Sequence, residues 1–245
     1  MRLADHFSRS GDLLFRWRSY LPLLLLPLFA LALLDTRGAG RAGVPARWWQ
    51  LVCLLVSCAG LALRAYTIGT APAGTSERST VDPRASELST SGVYSVMRHP
   101  LYFGNTLVAL GLAGMVGRWY LPAIVGLASL LYHERIAARE EAFLEERFGD
   151  GFRAWAERVP ALFPKPGLFA PSPVRFKWRD VLRREVHGLL VIGAGFFVFD
   201  LASRAAATGR LEPDRWWTGL FAASAVLFVV MLGLKKLTRV LEPRG

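Results

Sequence analysis

Cysteine is nearly missing: the chain of 245 residues has two, Cys53 and Cys58. They sit five apart inside one apolar block, which fits neither a disulfide framework, a redox pair nor a metal half-site, so they read as packing residues. Histidine is also sparse, and His6, His133 and His187 stand isolated with no pair at metal-ligand spacing, so no metal is expected. Acidic residues number 19 against 30 Lys and Arg, giving a net charge of +11 and a pI near 10.4. A surplus of that size raises nucleic acid as a partner, yet no basic stripe with interleaved aromatics remains once the cations are assigned to sides of a membrane. Nucleic-acid binding is not expected. The one glycine pair of interest, Gly193-Ala194-Gly195, lacks the flanking strand and third glycine of a dinucleotide loop, and no internal repeat is present.

What the chain has in abundance is apolar sequence gathered into blocks. Hydrophobic residues make up 53% and mean hydropathy is +0.31, too apolar for a typical soluble domain. The blocks run over 20–34, 48–63, 101–116, 119–131, 186–202 and 216–234. Sixteen residues of helix reach roughly 24 Å, short of a hydrocarbon core of about 30 Å, so the third and fourth blocks are the weakest candidates for full crossing. The expected fold is an all-α polytopic integral membrane protein with about six membrane helices and a cytoplasmic amphipathic helix. With a cytoplasmic N-terminus, inside segments hold 23 of the 30 basic residues and outside loops 7. The positive-inside rule then places both termini at the cytoplasmic face of a bacterial-type inner (plasma) membrane. The first block, preceded by Arg16 and Arg18 and ending near Ala30-Leu31-Ala32, also fits a signal peptide, but cleavage leaves Asp35 outside either way.

Three regions follow: a membrane helix pair over residues 1–70, a core over 71–170, and a two-helix extension over 171–245. Residues 71–91 are rich in Ser, Thr, Pro and Gly and read as a polar loop. At His133 the chain changes character: Ile136, Ala137, Phe143, Leu144, Phe148, Phe152 and Trp155 recur among charges at helical spacing, interrupted near Gly149. The prolines at 160, 164 and 166 cannot continue that helix. The blocks at 101–116 and 119–131 are separated only by Gly117-Arg118, so they form an antiparallel hairpin that returns Glu140 and Glu141 to the side of Arg98 and His99.

The motif Gly92-Val93-Tyr94-Ser95-Val96-Met97-Arg98-His99-Pro100-Leu101-Tyr102-Phe103-Gly104 is followed by Glu140-Glu141 with Leu144, by Phe148-Gly149, and by Val159-Pro160 with Phe163-Pro164. In this order and spacing the segment resembles the isoprenylcysteine carboxyl methyltransferase family and the wider membrane phospholipid methyltransferases. The resemblance covers residues 92–164, and departs from the family's usual tyrosines at Phe152 and Trp155. It implies S-adenosylmethionine as cofactor and methyl transfer to a membrane lipid or lipidated substrate. Such a cofactor needs a carboxylate for its ammonium, a cation for its carboxylate and aromatic faces near its sulfonium. The resemblance implies catalytic roles for Arg98, His99 and Glu141, and cofactor contacts from His99, Tyr102, Gly104, Glu140, Glu141, Val159, Pro160 and Phe163. Within that set, Glu140 or Glu141 takes the ammonium, Arg98 or His99 the carboxylate, Tyr102 the sulfonium region, and Val159, Pro160 and Phe163 an adenine wall.

Each residue also has a plainer reading. Arg98 at a helix start suits lipid phosphates, a lone His99 suits a structural role, and Glu140-Glu141 beside Arg139 suits a solvated helix face. Their joint placement at one hairpin favours a site. Two other functions compete: a membrane reductase using a nicotinamide cofactor, and a non-enzymatic membrane protein. Asp200 is the acidic residue near the heart of a late apolar block, where an ion pathway usually shows several. The acceptor atom, whether carboxylate, amine, phosphate or thiol, and the oligomeric state are not readable from the residues.

Overall fold

A computed structural model describes residues 24–37, 43–72 and 87–237. Its helices are α1 (Leu26–Leu34), α2 (Arg47–Thr70), α3 (Pro100–Gly114), α4 (Tyr120–Phe148), α5 (Asp150–Ala156), α6 (Trp178–Thr208) and α7 (Arg215–Leu237), with single 3-10 turns at Val93–Ser95 and Pro166–Leu168. Among the described residues there is no strand, and Gly92 and Ala170 form an isolated antiparallel bridge. The all-helical architecture matches the sequence reading.

Three helices, α2, α6 and α7, are long and apolar enough to cross a membrane. At 24, 31 and 23 residues they reach about 36, 46 and 34 Å, each beyond a hydrocarbon core of about 30 Å. They correspond to the second, fifth and sixth apolar blocks. The third block is the 15-residue α3, about 22 Å long. The expected loop over 71–91 falls largely outside the described residues. So do both termini, with Arg2, Arg9, Arg16, Arg18, Arg78, Arg84, Arg239 and Arg244.

One local expectation is modified. The fourth block and the amphipathic helix are not separate elements meeting near His133: α4 runs unbroken through all 29 residues. The cause is compositional. Pro122 lies in the first turn, where its missing N–H is harmless, and no later proline interrupts the Ala, Leu, Glu and Arg that follow. The helix stops where expected, at Gly149, whose φ of +52° is open to glycine at little cost.

The residues group into two compact units, one of Tyr66–Phe103 and Leu127–Phe176, the other of Leu25–Ala65, Gly104–Gly126 and the chain from Lys177 onward. In the second unit α2 and α3 approach until their backbones nearly touch. A Cβ on Gly104 would stand 2.8 Å from Gly60 O, and one on Gly111 2.4 Å from Cys53 O. Two polar networks tie this unit. Arg64 donates from Nε and Nη2 to Glu185 at 2.9 and 2.7 Å, and from Nη1 to Asn105 at 2.6 Å. Near the other end of α2, Arg47 and Arg204 both bind Asp214, Arg204 also binds Asp200, and Gln50 joins Asp200 to the Trp217 indole. Asp200 is 1% exposed, so its charge is tolerable only because it is paired.

In the first unit a small core forms from Phe152, Trp155 and Val159 with Tyr94, Leu144 and Phe148 packed on it. Trp155 donates its indole N–H to Tyr94 O at 3.2 Å. The two departures from the family's tyrosines thus face a core and keep an aromatic packing role.

Candidate active site

The loop before α3 is built to aim its side chains. Gly92 takes φ +62°, a conformation that L side chains rarely adopt, and Ser95 Oγ donates to Gly92 O at 2.7 Å, closing the turn. The backbone then runs beside the proline-rich segment: Arg98 N donates to Pro160 O at 2.9 Å, His99 N to Ala161 O at 3.0 Å, and Lys165 N to Val96 O at 2.9 Å. His99 O accepts from Phe103 N at 3.2 Å, and Pro100 opens α3 at a position where no N–H is needed.

Arg98 is a clamp. Its Nε and Nη2 form a fork on Glu141 at 2.8 and 3.1 Å, and its Nη1 donates to Ala156 O at 2.5 Å and Val159 O at 3.0 Å. The side chain is 15% exposed. Planar, multivalent binding of this kind is specific to a guanidinium. His99, 6% exposed, lies between the two acids, with Nε2 2.8 Å from Glu141 Oε1 and Nδ1 3.6 Å from Glu140 Oε2. Tyr102 donates its hydroxyl to Glu140 Oε1 at 2.5 Å.

Both acids are therefore not equivalent. Glu141 Oε1 receives Arg98 and His99 and Oε2 receives Arg98 again. Glu140 meets Tyr102 on one oxygen and the more distant His99 on the other, and keeps 26% of its side chain exposed. Burial pulls the His99 imidazolium down, but hydrogen bonds and charge from Glu140 and Glu141 outweigh it and raise its pKa. Burial pushes Glu141 up, yet the His99 hydrogen bond and charge, with Arg98, hold its carboxyl below the usual range. The cluster thus sets the Arg98 guanidinium and the His99 ring against two carboxylates.

His133, expected to stand isolated, belongs to this group. Its ring stacks on Tyr102 with centroids 5.0 Å apart, and Tyr102 stacks in turn on His99 at 5.6 Å. Burial lowers His133 to a pKa of about 4, and the His99 charge adds to this against a weaker pull from Glu140. The signal was in the sequence: His133, Ala137, Glu140 and Glu141 fall on one face of a helix at i, i+4, i+7 and i+8.

Other expected residues make contacts of a different kind. Gly104 sits at the crossing of α2 and α3, where its lack of a side chain admits Arg64 Cγ and the Gly60 backbone. Val159 is buried in the Phe152–Trp155 core, Pro160 offers its carbonyl to Arg98 N, and Phe163 is 66% exposed.

Comparison with known proteins agrees with the motif. Over 82 residues, 34% of this chain and 38% of the relative, the chain is 40% identical to the cobalt-zinc-cadmium resistance protein CzcN of Cupriavidus metallidurans. It is 38% identical over 86 residues to the nickel-cobalt-cadmium resistance protein NccN of Alcaligenes xylosoxydans xylosoxydans, covering 35% of this chain and 40% of that one. To the protein-S-isoprenylcysteine O-methyltransferase of Schizosaccharomyces pombe it is 31% identical over 77 residues, 31% of this chain and 33% of that one. The matches thus span at most two fifths of each relative's length. No solved structure matches the chain. The phospholipid methyltransferase family model matches residues 48–151, a segment that holds Arg98, His99, Tyr102, His133, Glu140 and Glu141.

Proposed function

We propose that the protein is an S-adenosylmethionine-dependent methyltransferase acting on a lipid or lipidated substrate at the cytoplasmic membrane face, with residues 71–170 as its core. The observation that carries this is the convergence of Arg98, His99 and Tyr102 with Glu140 and Glu141 in one cluster, inside the segment that matches the family. The isoprenylcysteine methyltransferase relative supports the same reading over a nicotinamide-dependent reductase. Among the described residues no group of three or more His, Cys, Asp or Glu could hold a metal ion.

The donor set fits the cofactor in part. S-adenosylmethionine, when bound, supplies a methyl group on a sulfonium, and its transfer breaks the S–CH3 bond as the acceptor forms its own bond to that carbon. Glu140, whose second oxygen meets only His99 Nδ1 at 3.6 Å, is the carboxylate left to receive an ammonium. Glu141 and Arg98 satisfy one another and hold the loop in place, so their role is to position. Tyr102 orients Glu140 through its hydroxyl. Alignment of reacting groups supplies much of the rate in a direct displacement, and no covalent nucleophile is needed.

The proposed topology keeps six membrane segments, with the shorter α1, α3 and the apolar first half of α4 completing the three long helices, and both termini inside. The decisive experiment is a thermal-shift comparison of purified protein with S-adenosylhomocysteine and with a nicotinamide nucleotide, since a ligand that binds the native state raises its apparent stability. Stabilisation by the first alone is expected. Stabilisation by the nicotinamide nucleotide alone would replace methyl transfer with the reductase reading. In calorimetry, Glu140→Gln should lose at least about tenfold in S-adenosylhomocysteine affinity, the effect of one charge-assisted hydrogen bond of ~1.5 kcal/mol or more.

A further inference from the structure

The segment that follows the candidate site has a composition its role in the site does not require. From Arg158 to Arg179 the chain has five cations, Arg158, Lys165, Arg175, Lys177 and Arg179, and no acidic residue. Its backbone is irregular apart from the 3-10 turn at Pro166–Leu168, because five prolines, 160, 164, 166, 171 and 173, deny it donors and fix it extended. Yet it exposes large apolar side chains: Phe163 at 66%, Phe169 at 52% and Phe176 at 49%. An irregular segment that turns aromatic rings outward among cations fits a boundary with apolar chains on one side and anionic groups on the other. The segment leads into α6, a helix able to cross a membrane, whose apolar block begins at Val186, about 15 Å of helix beyond Phe176.

The same strap is fastened to the site. Besides the bonds from Arg98, His99 and Lys165, Gly92 N donates to Ala170 O at 2.8 Å and Ala170 N to Ser95 Oγ at 2.9 Å. Five hydrogen bonds therefore join the strap to the loop from Gly92 to His99. We propose that the strap 160–176 is an interfacial anchor for an anionic lipid surface, and that its seating on that surface holds the Arg98–His99 loop in order. Lys165 and Arg175 meet the lipid headgroups, and Phe163 and Phe169 enter the layer beneath them, while Phe176 packs on Gly69 of α2. The inference stands on the strap's own composition, exposure and bonding, and does not depend on the cofactor.

The test is hydrogen–deuterium exchange of the full protein in phosphatidylcholine bilayers with and without phosphatidylglycerol. Amides of 161–169 and of 93–99 should exchange about fivefold more slowly with the anionic lipid, the effect of a single cation near a charged surface, and high salt should weaken the difference. The paired variant Lys165→Gln with Arg175→Gln should remove the lipid dependence. Phe163→Ser with Phe169→Ser should raise exchange in both bilayers, while the amides of α4 stay unchanged as the control for folding. Equal exchange in the two bilayers overturns the proposal. Protection by an acidic peptide such as polyglutamate, without any by phosphatidylglycerol, also overturns it and makes the strap a protein-docking element. Measured alongside, S-adenosylhomocysteine binding keeps the two readings apart: its absence with lipid-dependent protection intact would sink methyl transfer and leave the anchor standing.

Discussion

At the scale of single residues, the cluster is decided by how many donors each acid receives. Glu141 makes three contacts at short distance, so Glu141→Gln leaves Arg98 and His99 facing an amide that cannot balance the guanidinium. The variant should lose about 1–3 kcal/mol of stability, taken at the low side of the buried-pair range because nearly a quarter of the side chain is exposed. It should show a lowered melting temperature by differential scanning fluorimetry, where Glu140→Gln should not; equal melting temperatures would remove the distinction between the two acids. Arg98→Lys should resemble Glu141→Gln, since an ammonium cannot span Glu141, Ala156 O and Val159 O together. Wild-type stability in the Lys variant would return Arg98 to a headgroup anchor. The histidines set opposite pH signatures. His133 has a folded pKa of about 4 against an ordinary 6.5, so its contribution is present above pH 6.5 and is lost as pH falls from 6.5 toward 4, by as much as about 3 kcal/mol. His99 is raised, so its contribution is full below pH 6.5 and is lost as pH rises through its folded value. Melting curves of wild type and His133→Phe from pH 7 to 4 separate them: the variant should lose the acid-side decline, and an unchanged slope would show that His133 titrates as in water.

At the scale of elements, the helices were legible and their limits were not always. Block length and hydropathy located α2, α6 and α7, and glycine and proline chemistry located the ends of α4 and the strap. What periodicity missed was the continuity of α4 across His133, because a change from apolar to charged composition reads as a boundary even where nothing breaks the backbone. The same oversight hid His133, whose helical register with Glu140 appears only when both lie on one helix. Gly104 is the converse case: a motif residue expected at a cofactor is required by a helix crossing, which a sequence cannot show because it involves Gly60, over forty positions away. Gly104→Ala should therefore cost about 1–3 kcal/mol through overpacking, since its Cβ would meet Gly60 O at 2.8 Å. The expected result is a lower melting temperature with S-adenosylhomocysteine affinity unchanged in the fraction that remains folded. A selective loss of affinity at full stability would move Gly104 back to the cofactor.

At the scale of the whole molecule, the cations at the two ends of α2 pair with acids of other helices. Arg47 and Arg64 are 17 positions apart on α2, about 26 Å along the axis, close to the thickness of a hydrocarbon core. One is bound by Asp214 and the other by Glu185 and Asn105, so each buried or half-buried cation has its partner at its own level of the membrane. This pairing was not legible: the distribution of 23 and 7 basic residues only proposes an orientation, and no spacing rule couples Arg64 to Glu185 across 121 positions. The proposed orientation puts the α6–α7 turn, with exposed Arg210 and Glu212, outside the cell and the strap, with Arg175, inside. With Cys53 and Cys58 replaced by alanine, Glu212→Cys in intact cells should react with a membrane-impermeant maleimide. Arg175→Cys should react only after the membrane is opened. The reverse pattern would place the Arg98–Glu141 cluster on the outer face, away from a cytosolic cofactor, and methyl transfer from S-adenosylmethionine could not be the activity of that site.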